Sequence, residues 1–153
     1  MSIYNERLLP GPMIFVMCAL IIPASLLVFF PINFTVGVIV ACILYPALVV
    51  LLILASPRVE VTDAALIAGR ARLPIPNVGE ATGYFGTDAT AQRGPKLDAR
   101  AWLLIRGWVS PVVKVVVEDE TDPTPYWIIS TRHPKELVAA LKQAHAGMPE
   151  AIS

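Results

Sequence analysis

The sequence predicts a membrane-spanning helical hairpin followed by a small α+β domain that a single C-terminal helix closes. Three observations predict this fold class. Fifty consecutive residues, from Leu8 to Pro57, contain no Asp, Glu, Lys, Arg or His. The chain that follows contains short runs of alternating apolar and polar residues, which are typical of strands. The last run, which begins after His133, has the periodicity of an amphipathic helix.

The uncharged stretch divides near residues 31–35 into two apolar runs, residues 13–32 and 36–55. Each run is long enough to cross a hydrocarbon layer about 30 Å thick, because a helix rises about 1.5 Å per residue. A secretion signal is a weaker interpretation, since a second span follows the first directly. We therefore expect residues 1–57 to form an N-terminal tail and a transmembrane hairpin, and residues 58–153 to form a separate polar domain.

The charged residues that flank the two spans predict the orientation of the hairpin. Arg7 precedes the first span, whereas Arg58, Arg70 and Arg72 follow the second, and the connecting turn carries no charge. Loops rich in Lys and Arg stay on the cytoplasmic side of a membrane. We therefore expect a multi-pass protein of the cytoplasmic (inner) cell membrane, with both termini and the whole domain in the cytoplasm.

Small residues in both spans predict close packing between the two helices. Glycine and alanine let helix backbones approach each other within a membrane. The candidate helix–helix packing residues are Ala19, Ala24, Gly37 and Ala41. The two helices would still leave most of their surface to lipid or to another protein. Since neither span contains Asp, Glu, His, Lys or Arg, we expect no ion or proton pathway within the hairpin.

Two prolines and two cysteines lie inside the predicted spans. Pro23 and Pro46 each remove one backbone donor, so a kink is expected at each, either as a hinge or as a tolerated bend. Cys18 and Cys42 differ by about 9 Å in predicted depth, which exceeds the Cα separation that a disulfide tolerates. We interpret both cysteines as small apolar side chains.

The polar domain is predicted to contain six or seven strands and one helix. Residues 86–96 are rich in Gly, Thr and Pro and are interpreted as a loop, and residues 118–125 as an acidic turn. Pro134 and Gly147 are typical of a helix start and a helix end. We expect a small antiparallel β-barrel or sandwich plugged by this helix, with strands near residues 58–62, 66–73, 80–85, 101–105, 108–109, 112–118 and 126–130.

This order of elements resembles the bacterial pleckstrin-homology-like domains, in which a bent antiparallel sheet is capped by the last helix. The opening Val61–Leu66 and the stretch Ile75–Val78 are similar to theirs. Over nearly its whole length, the chain also resembles a family of small two-span actinobacterial membrane proteins known only as a domain of unknown function. That resemblance implies a fold and a location but no activity, and it is carried by Tyr4–Leu8, the hairpin, Arg106–Val109 and Pro123–Pro134.

Candidate catalytic and metal-binding residues were weighed against simpler roles. His133 and His145 lie at the two ends of the predicted helix, where cap and surface roles suffice. The acidic residues Glu118–Asp122 lack the glycine and the ligand spacing of a calcium loop, so a solvated turn is the better interpretation. The hydroxyl residues have no context typical of a nucleophile. We therefore expect no metal, no cofactor and no enzymatic activity, and the net charge of zero does not suggest nucleic acid as a partner.

Basic residues and tryptophans provide the candidate contacts to a partner. Several arginines on one side of the domain would gain free energy from anionic headgroups, about 1 kcal/mol each, whereas scattered arginines would mean only solubility. Two of the three tryptophans are expected in the core, and an exposed one would mark a partner surface or the headgroup level. The candidate partner or headgroup contacts are Arg70, Arg72, Arg100, Arg106, Trp108 and Arg132.

Two functional hypotheses follow from these expectations. The first is a non-enzymatic accessory or scaffold protein whose hairpin packs on a larger membrane-protein complex while the domain docks on the cytoplasmic face of that complex. The second is a membrane-tethered module that binds anionic lipid headgroups or a cytoplasmic peptide. In both hypotheses the lipid bilayer is a partner of the protein.

Overall fold

The computed structural model describes residues 2–147, which form two compact units. One unit consists of residues 9–56 and the other of residues 2–8 and 57–147. We call these units the hairpin and the polar domain. The polar domain is therefore discontinuous in sequence, and the hairpin is an insertion between its first two strands.

The hairpin contains α1 (Pro12–Ala19), α2 (Ile21–Phe29) and α3 (Phe34–Leu54). α1 and α2 form one apolar helical stretch, Pro12–Phe29, interrupted at Leu20. The interruption lies beside the carbonyl of residue 19, which would otherwise bond to the missing N–H of Pro23. By length and composition, this stretch and α3 can each cross a membrane. Their ends lie within one to three residues of the ends of the predicted spans.

α3 begins at a well-formed cap and contains no interruption. The Asn33 side chain accepts hydrogen bonds from the backbone N–H groups of Thr35, at 2.9 Å, and Val36, at 3.4 Å. Such a cap satisfies donors that lack a partner in the first turn of a helix. The helix then continues through Pro46, whereas the first apolar stretch is interrupted near Pro23.

The polar domain contains one antiparallel sheet, which we call sheet A. Its strands lie in the order β1 (Ser2–Arg7), β2 (Arg58–Thr62), β3 (Ala65–Ala68) and β4 (Ala71–Pro74). The prediction of one strand over residues 66–73 is wrong, because a tight turn divides it into β3 and β4. Gly69 occupies this turn at φ 63°, a left-handed conformation that glycine adopts without strain.

The second sheet, sheet B, is mixed. Its strands lie in the order β5 (Val78–Tyr84), β7 (Val112–Val117), β8 (Tyr126–Ser130) and β6 (Trp102–Leu104). β6 is parallel to β8, whereas the other pairs are antiparallel. Of the two predicted alternatives, barrel or sandwich, the closed barrel is wrong, because over residues 2–147 the strands form two separate sheets. The parallel pair β6–β8 also departs from the predicted antiparallel pattern.

Two helices complete the polar domain. α4 (Gly86–Arg93) replaces most of the loop predicted for residues 86–96. It buries Ala89 and Gln92. The acidic Asp88 lies in its first turn and the basic Arg93 in its last, and both charges interact favourably with the helix dipole. α5 (Pro134–Ala146) is the predicted C-terminal helix. Its apolar face packs on strands of both sheets, and the shared core includes Val59, Val61, Leu66, Val113, Val115, Ile129, Leu137 and Leu141.

Candidate functional site

A network of side-chain hydrogen bonds joins the first strand of the polar domain to the start of α5. The Glu6 carboxylate accepts hydrogen bonds from the Tyr4 hydroxyl at 2.7 Å and from the Thr131 hydroxyl at 2.5 Å. It also accepts from the backbone N–H of Arg132 at 3.0 Å, and the Arg132 guanidinium lies 3.9 Å away. The Glu6 side chain is only 10% exposed. A carboxylate so placed holds β1 and residues 131–132 together.

The Tyr4 hydroxyl keeps its proton in this network. Burial of its hydroxyl raises the pKa of Tyr4 well above the ordinary tyrosine value, and the adjacent Glu6 carboxylate adds to that rise, although the hydrogen bond with Thr131 opposes it. The hydroxyl therefore stays protonated and donates to Glu6. Thr131 in turn accepts the backbone N–H of His133 at 3.0 Å, at the cap position of α5. The network contributes to the packing of the domain, and we assign it no catalytic role.

The two points where the chain passes between the polar domain and the hairpin lie side by side. Leu8 is the last residue of the polar domain before the hairpin, and Pro57 is the first after it. The backbone N–H of Leu8 donates to the carbonyl of Pro57 at 3.0 Å. The indole N–H of Trp108 donates to the carbonyl of Leu8 at 3.3 Å. Both ends of the insertion are thus fixed on the same part of the polar domain.

Several arginines surround this junction. The backbone N–H of Gly69 donates to the carbonyl of Arg58 at 2.7 Å, so the turn between β3 and β4 lies beside the start of β2. Arg70 follows in that turn, and Arg72 lies in β4; both side chains are exposed. The half-buried Arg106 begins the turn that contains Trp108. We call the five residues Arg58, Arg70, Arg72, Arg106 and Trp108 the junction patch.

The two remaining candidate arginines lie elsewhere and have carboxylate neighbours. Arg100 precedes β6 and pairs with Asp98 at 3.1 Å, and that guanidinium, through its hydrogen bond, lowers the pKa of Asp98. Arg132 lies beside Glu6 in the network described above. Of the residues predicted as partner contacts, Arg70 and Arg72 lie in sheet A with Arg58, which sequence analysis used only for orientation. Arg106 and Trp108 share the turn whose indole bonds to Leu8.

All three tryptophans pack on the main core, so none of them is the exposed tryptophan that would mark a partner surface. Trp127 is buried and Trp102 is half-buried, and their ring centroids lie 4.5 Å apart within the core. Trp108 is half-buried near Arg106, with its indole N–H bonded at the junction. An aromatic side chain with one apolar and one polar end suits a boundary between apolar and polar surroundings.

In the hairpin, the four residues predicted to pack between the helices have different exposures. Gly37 and Ala41 are buried, Ala19 is half-buried, and Ala24 is exposed. A Cβ atom at Gly37 would lie 3.2 Å from the Cβ of Phe29 and 3.5 Å from the Cα of Leu26. The backbone of α3 therefore approaches α2 closely at this glycine.

The histidines and the acidic turn have ordinary structural surroundings. His133 lies 3.6 Å from Glu136, and His145 lines a groove of about 290 Å³ between β5 and α5. In the acidic turn, Asp119 accepts hydrogen bonds from Thr121 and Asn77, which lower the pKa of Asp119. Within residues 2–147, no three His, Cys, Asp or Glu side chains gather closely enough to hold a metal ion.

Comparison with known proteins gives one match. The model of a protein family described as "Protein of unknown function (DUF3093)" matches residues 3–141, which include the hairpin, both sheets and most of α5. No curated protein and no solved structure matches the chain. The match starts within β1 and extends past residues 131–133, so it includes both sides of the Glu6 network.

Proposed function

We infer that this chain, which belongs to the DUF3093 family of proteins of unknown function, is an integral membrane protein with a non-enzymatic accessory or scaffold role. The hairpin crosses the cytoplasmic membrane twice, with both termini and the polar domain in the cytoplasm. One face of the hairpin packs on a larger membrane-protein complex, and the polar domain docks on the cytoplasmic side of that complex. Neither a cofactor nor nucleic acid takes part in this role.

The observation that carries the proposal is the apolar surface of the hairpin. Long apolar side chains on all three of its helices are more than half exposed, among them Met13, Leu27, Ile43 and Leu51. Soluble monomers rarely expose contiguous apolar patches beyond a few hundred Å². This surface requires lipid or protein around it, and the basic residues that flank it favour a cytoplasmic domain.

A concave part of α2 gives the proposed complex a place to bind. Pro23, Leu26, Leu27 and Phe30 line an apolar hollow of about 410 Å³ on the hairpin. A helix of another protein that fills such a hollow gains van der Waals contacts, which drive helix association in membranes. Lipid chains fill irregular hollows less completely because they are mobile.

The relationship of the polar domain to pleckstrin-homology-like domains is part of the same proposal. It is supported by the order of the elements, in which one C-terminal helix packs on strands of two sheets. The parallel pairing of β6 with β8 is a departure from the antiparallel pattern. An experimentally determined structure, superimposed on such domains, tests this relationship.

Photo-crosslinking in intact membranes tests the accessory role. A photoreactive amino acid replaces Leu27, which lines the hollow, or Leu51, which is a similarly exposed apolar residue on α3. We expect the Leu27 position to give a discrete product with another membrane protein, at a higher yield than the Leu51 position. Crosslinks to lipid alone at both positions would exclude a complex on the hairpin.

Protease protection tests the topology separately. The protein should stay in membranes washed with carbonate, and the polar domain should resist protease added outside sealed cells. Digestion of the polar domain from outside the cells would contradict the proposed orientation.

A further inference from the structure

We propose that three arginines of the junction patch, Arg58, Arg70 and Arg72, bind the anionic phospholipid headgroups of the leaflet that the hairpin enters. This inference rests on the membrane insertion proposed above and does not depend on the accessory role. It identifies the surface of the polar domain that contacts the bilayer.

The covalent chain limits how far these arginines can lie from the membrane. Arg58 is the fourth residue after Leu54, the last residue of α3. Since an extended chain spans at most about 3.6 Å per residue, the Cα of Arg58 lies within about 14 Å of the end of that helix. The headgroup region adds about 5–7 Å to each leaflet, and electrostatic attraction extends about 8–10 Å beyond it. Arg58 therefore stays within the field of the headgroups.

A hydrogen bond and the register of sheet A fix the positions of the other two arginines relative to Arg58. The Gly69 N–H donates to the carbonyl of Arg58, which places Arg70, the next residue, next to the start of β2. In the register of sheet A, Glu60 is opposite Ile67, and Ile67 is opposite Arg72. Laterally paired residues share a face of a sheet, and so do residues two apart along one strand. Arg58, Glu60 and Arg72 thus lie on one face, opposite the face that buries Val59 and Val61.

Charge and exposure make this surface suitable for phosphate groups. Arg58, Arg70 and Arg72 are all exposed, and Glu60 is a half-buried carboxylate on the same face. The guanidinium group donates two parallel hydrogen bonds to phosphate oxygens. Arg100, in contrast, already donates to Asp98, at the end of sheet B away from the junction. A headgroup phosphate is therefore a better match for the junction patch than for the other candidate arginines.

Lipid selectivity of the full-length protein tests the proposal. The protein is reconstituted into phosphatidylcholine vesicles that contain a trace of spin-labelled phosphatidylglycerol or spin-labelled phosphatidylcholine. Electron paramagnetic resonance gives the motionally restricted fraction of each label. We expect a severalfold preference for phosphatidylglycerol at low salt and a large loss of that preference at about 0.5 M salt, because salt screens exposed charges.

Two triple variants distinguish an effect of the three patch arginines from an effect of net charge. Arg58→Gln, Arg70→Gln and Arg72→Gln together should remove most of the preference at low salt, so that both labels are restricted nearly equally. Lys96→Gln, Arg100→Gln and Lys142→Gln remove the same charge from exposed positions elsewhere in the polar domain and should reduce it far less. The proposal would be overturned if both variants lost the phosphatidylglycerol preference equally, or if the first variant kept it. A wild-type preference that does not change with salt would also overturn it.

One further variant is expected to act in the opposite direction. Glu60→Gln removes the carboxylate from the same face, so it should raise the preference for phosphatidylglycerol. An unchanged or lower preference would count against headgroups at this face. Binding of a cytoplasmic peptide that depends on the three arginines, with equal restriction of both lipids, would assign the surface to protein instead.

These outcomes are distinguishable from a failure of membrane insertion. A protein that does not insert restricts neither label and is washed off the vesicles by carbonate. A protein that inserts without recognising headgroups restricts both labels equally.

Discussion

At the scale of single residues, the Glu6 carboxylate makes the most consequential polar contacts of the polar domain. It lies in the first seven residues of the chain, yet its partners Thr131 and Arg132 are more than a hundred residues away. A nearly buried carboxylate is costly unless its oxygens accept hydrogen bonds. Here Tyr4, Thr131 and Arg132 supply them, so the N-terminal segment belongs to the folded domain.

Replacement of Glu6 tests this view. Glu6→Gln keeps the shape of the side chain but removes its charge, and it leaves one side-chain nitrogen facing the donors. We expect the free energy of unfolding to fall by about 1–3 kcal/mol, measured by thermal unfolding of the purified protein. Glu120→Gln, the same change at an exposed residue of the acidic turn, is the control and should have almost no effect. Equal melting temperatures for both variants would mean that the network contributes little.

The raised pKa of Tyr4 predicts a pH dependence of stability. Above pH 10, the ordinary tyrosine pKa, the unfolded chain releases the hydroxyl proton, whereas the folded chain, whose pKa is raised by burial, retains it. The folded state then binds more protons, so its stability is fully present below pH 10 and is lost as the pH rises further. From about pH 10 upward the melting temperature should fall more steeply for the wild type than for Tyr4→Phe. Other titrating groups are common to both proteins, and parallel curves would contradict this assignment.

At the scale of elements, local sequence determined the helices and strands that have strong periodicity. The apolar runs became α1–α2 and α3, the valine-rich run became β7, and the run after His133 became α5. Sequence analysis missed the strands and helices that are stable only because they contact residues far away in the chain. β1 has a polar sequence, Ser2–Arg7, and it is a strand because it pairs with β2. α4 was missed because glycine and threonine lower helix propensity, and its stability comes from burial of Ala89.

Within the hairpin, Gly37 tests whether close helix packing matters. A leucine there would place its Cβ 3.2 Å from the Phe29 Cβ, a contact so tight that α2 must shift. We expect Gly37→Leu to lower stability in detergent by about 1–3 kcal/mol, as overpacking does, measured by the midpoint of unfolding in sodium dodecyl sulfate. Val38→Leu, at the neighbouring exposed position, should leave the midpoint unchanged. A stable Gly37→Leu protein would mean that the helices tolerate a wider separation.

At the scale of the whole molecule, the hairpin is an insertion into a domain that could close without it. Leu8 and Pro57, the residues of the polar domain that flank the insertion, are joined by a 3.0 Å backbone hydrogen bond. Loop insertions between strands whose ends are close cost little free energy. The polar domain therefore contains the residues needed for its own core, provided that β1 is kept.

Excision of the hairpin tests this organisation. A variant in which a short turn containing Asn-Gly replaces residues 9–56 should be soluble and should fold with native-like β structure and tryptophan environment. Residues 57–153 alone lack β1 and the Glu6 carboxylate, so they should be markedly less stable. Circular dichroism and thermal unfolding compare the two proteins. If both behave alike, β1 is dispensable for the fold.

The sequence by itself determined that this protein has an uncharged stretch of two membrane-length helices, a β-rich polar domain and a final amphipathic helix. These features are local, because hydropathy and periodicity act over neighbouring residues. Only the tertiary structure decided that β1 completes sheet A, that β6 lies parallel to β8, and that the turn before Arg70 lies beside Arg58. Those features depend on contacts between residues far apart in the chain, such as Leu8 with Trp108, and no local pattern encodes them.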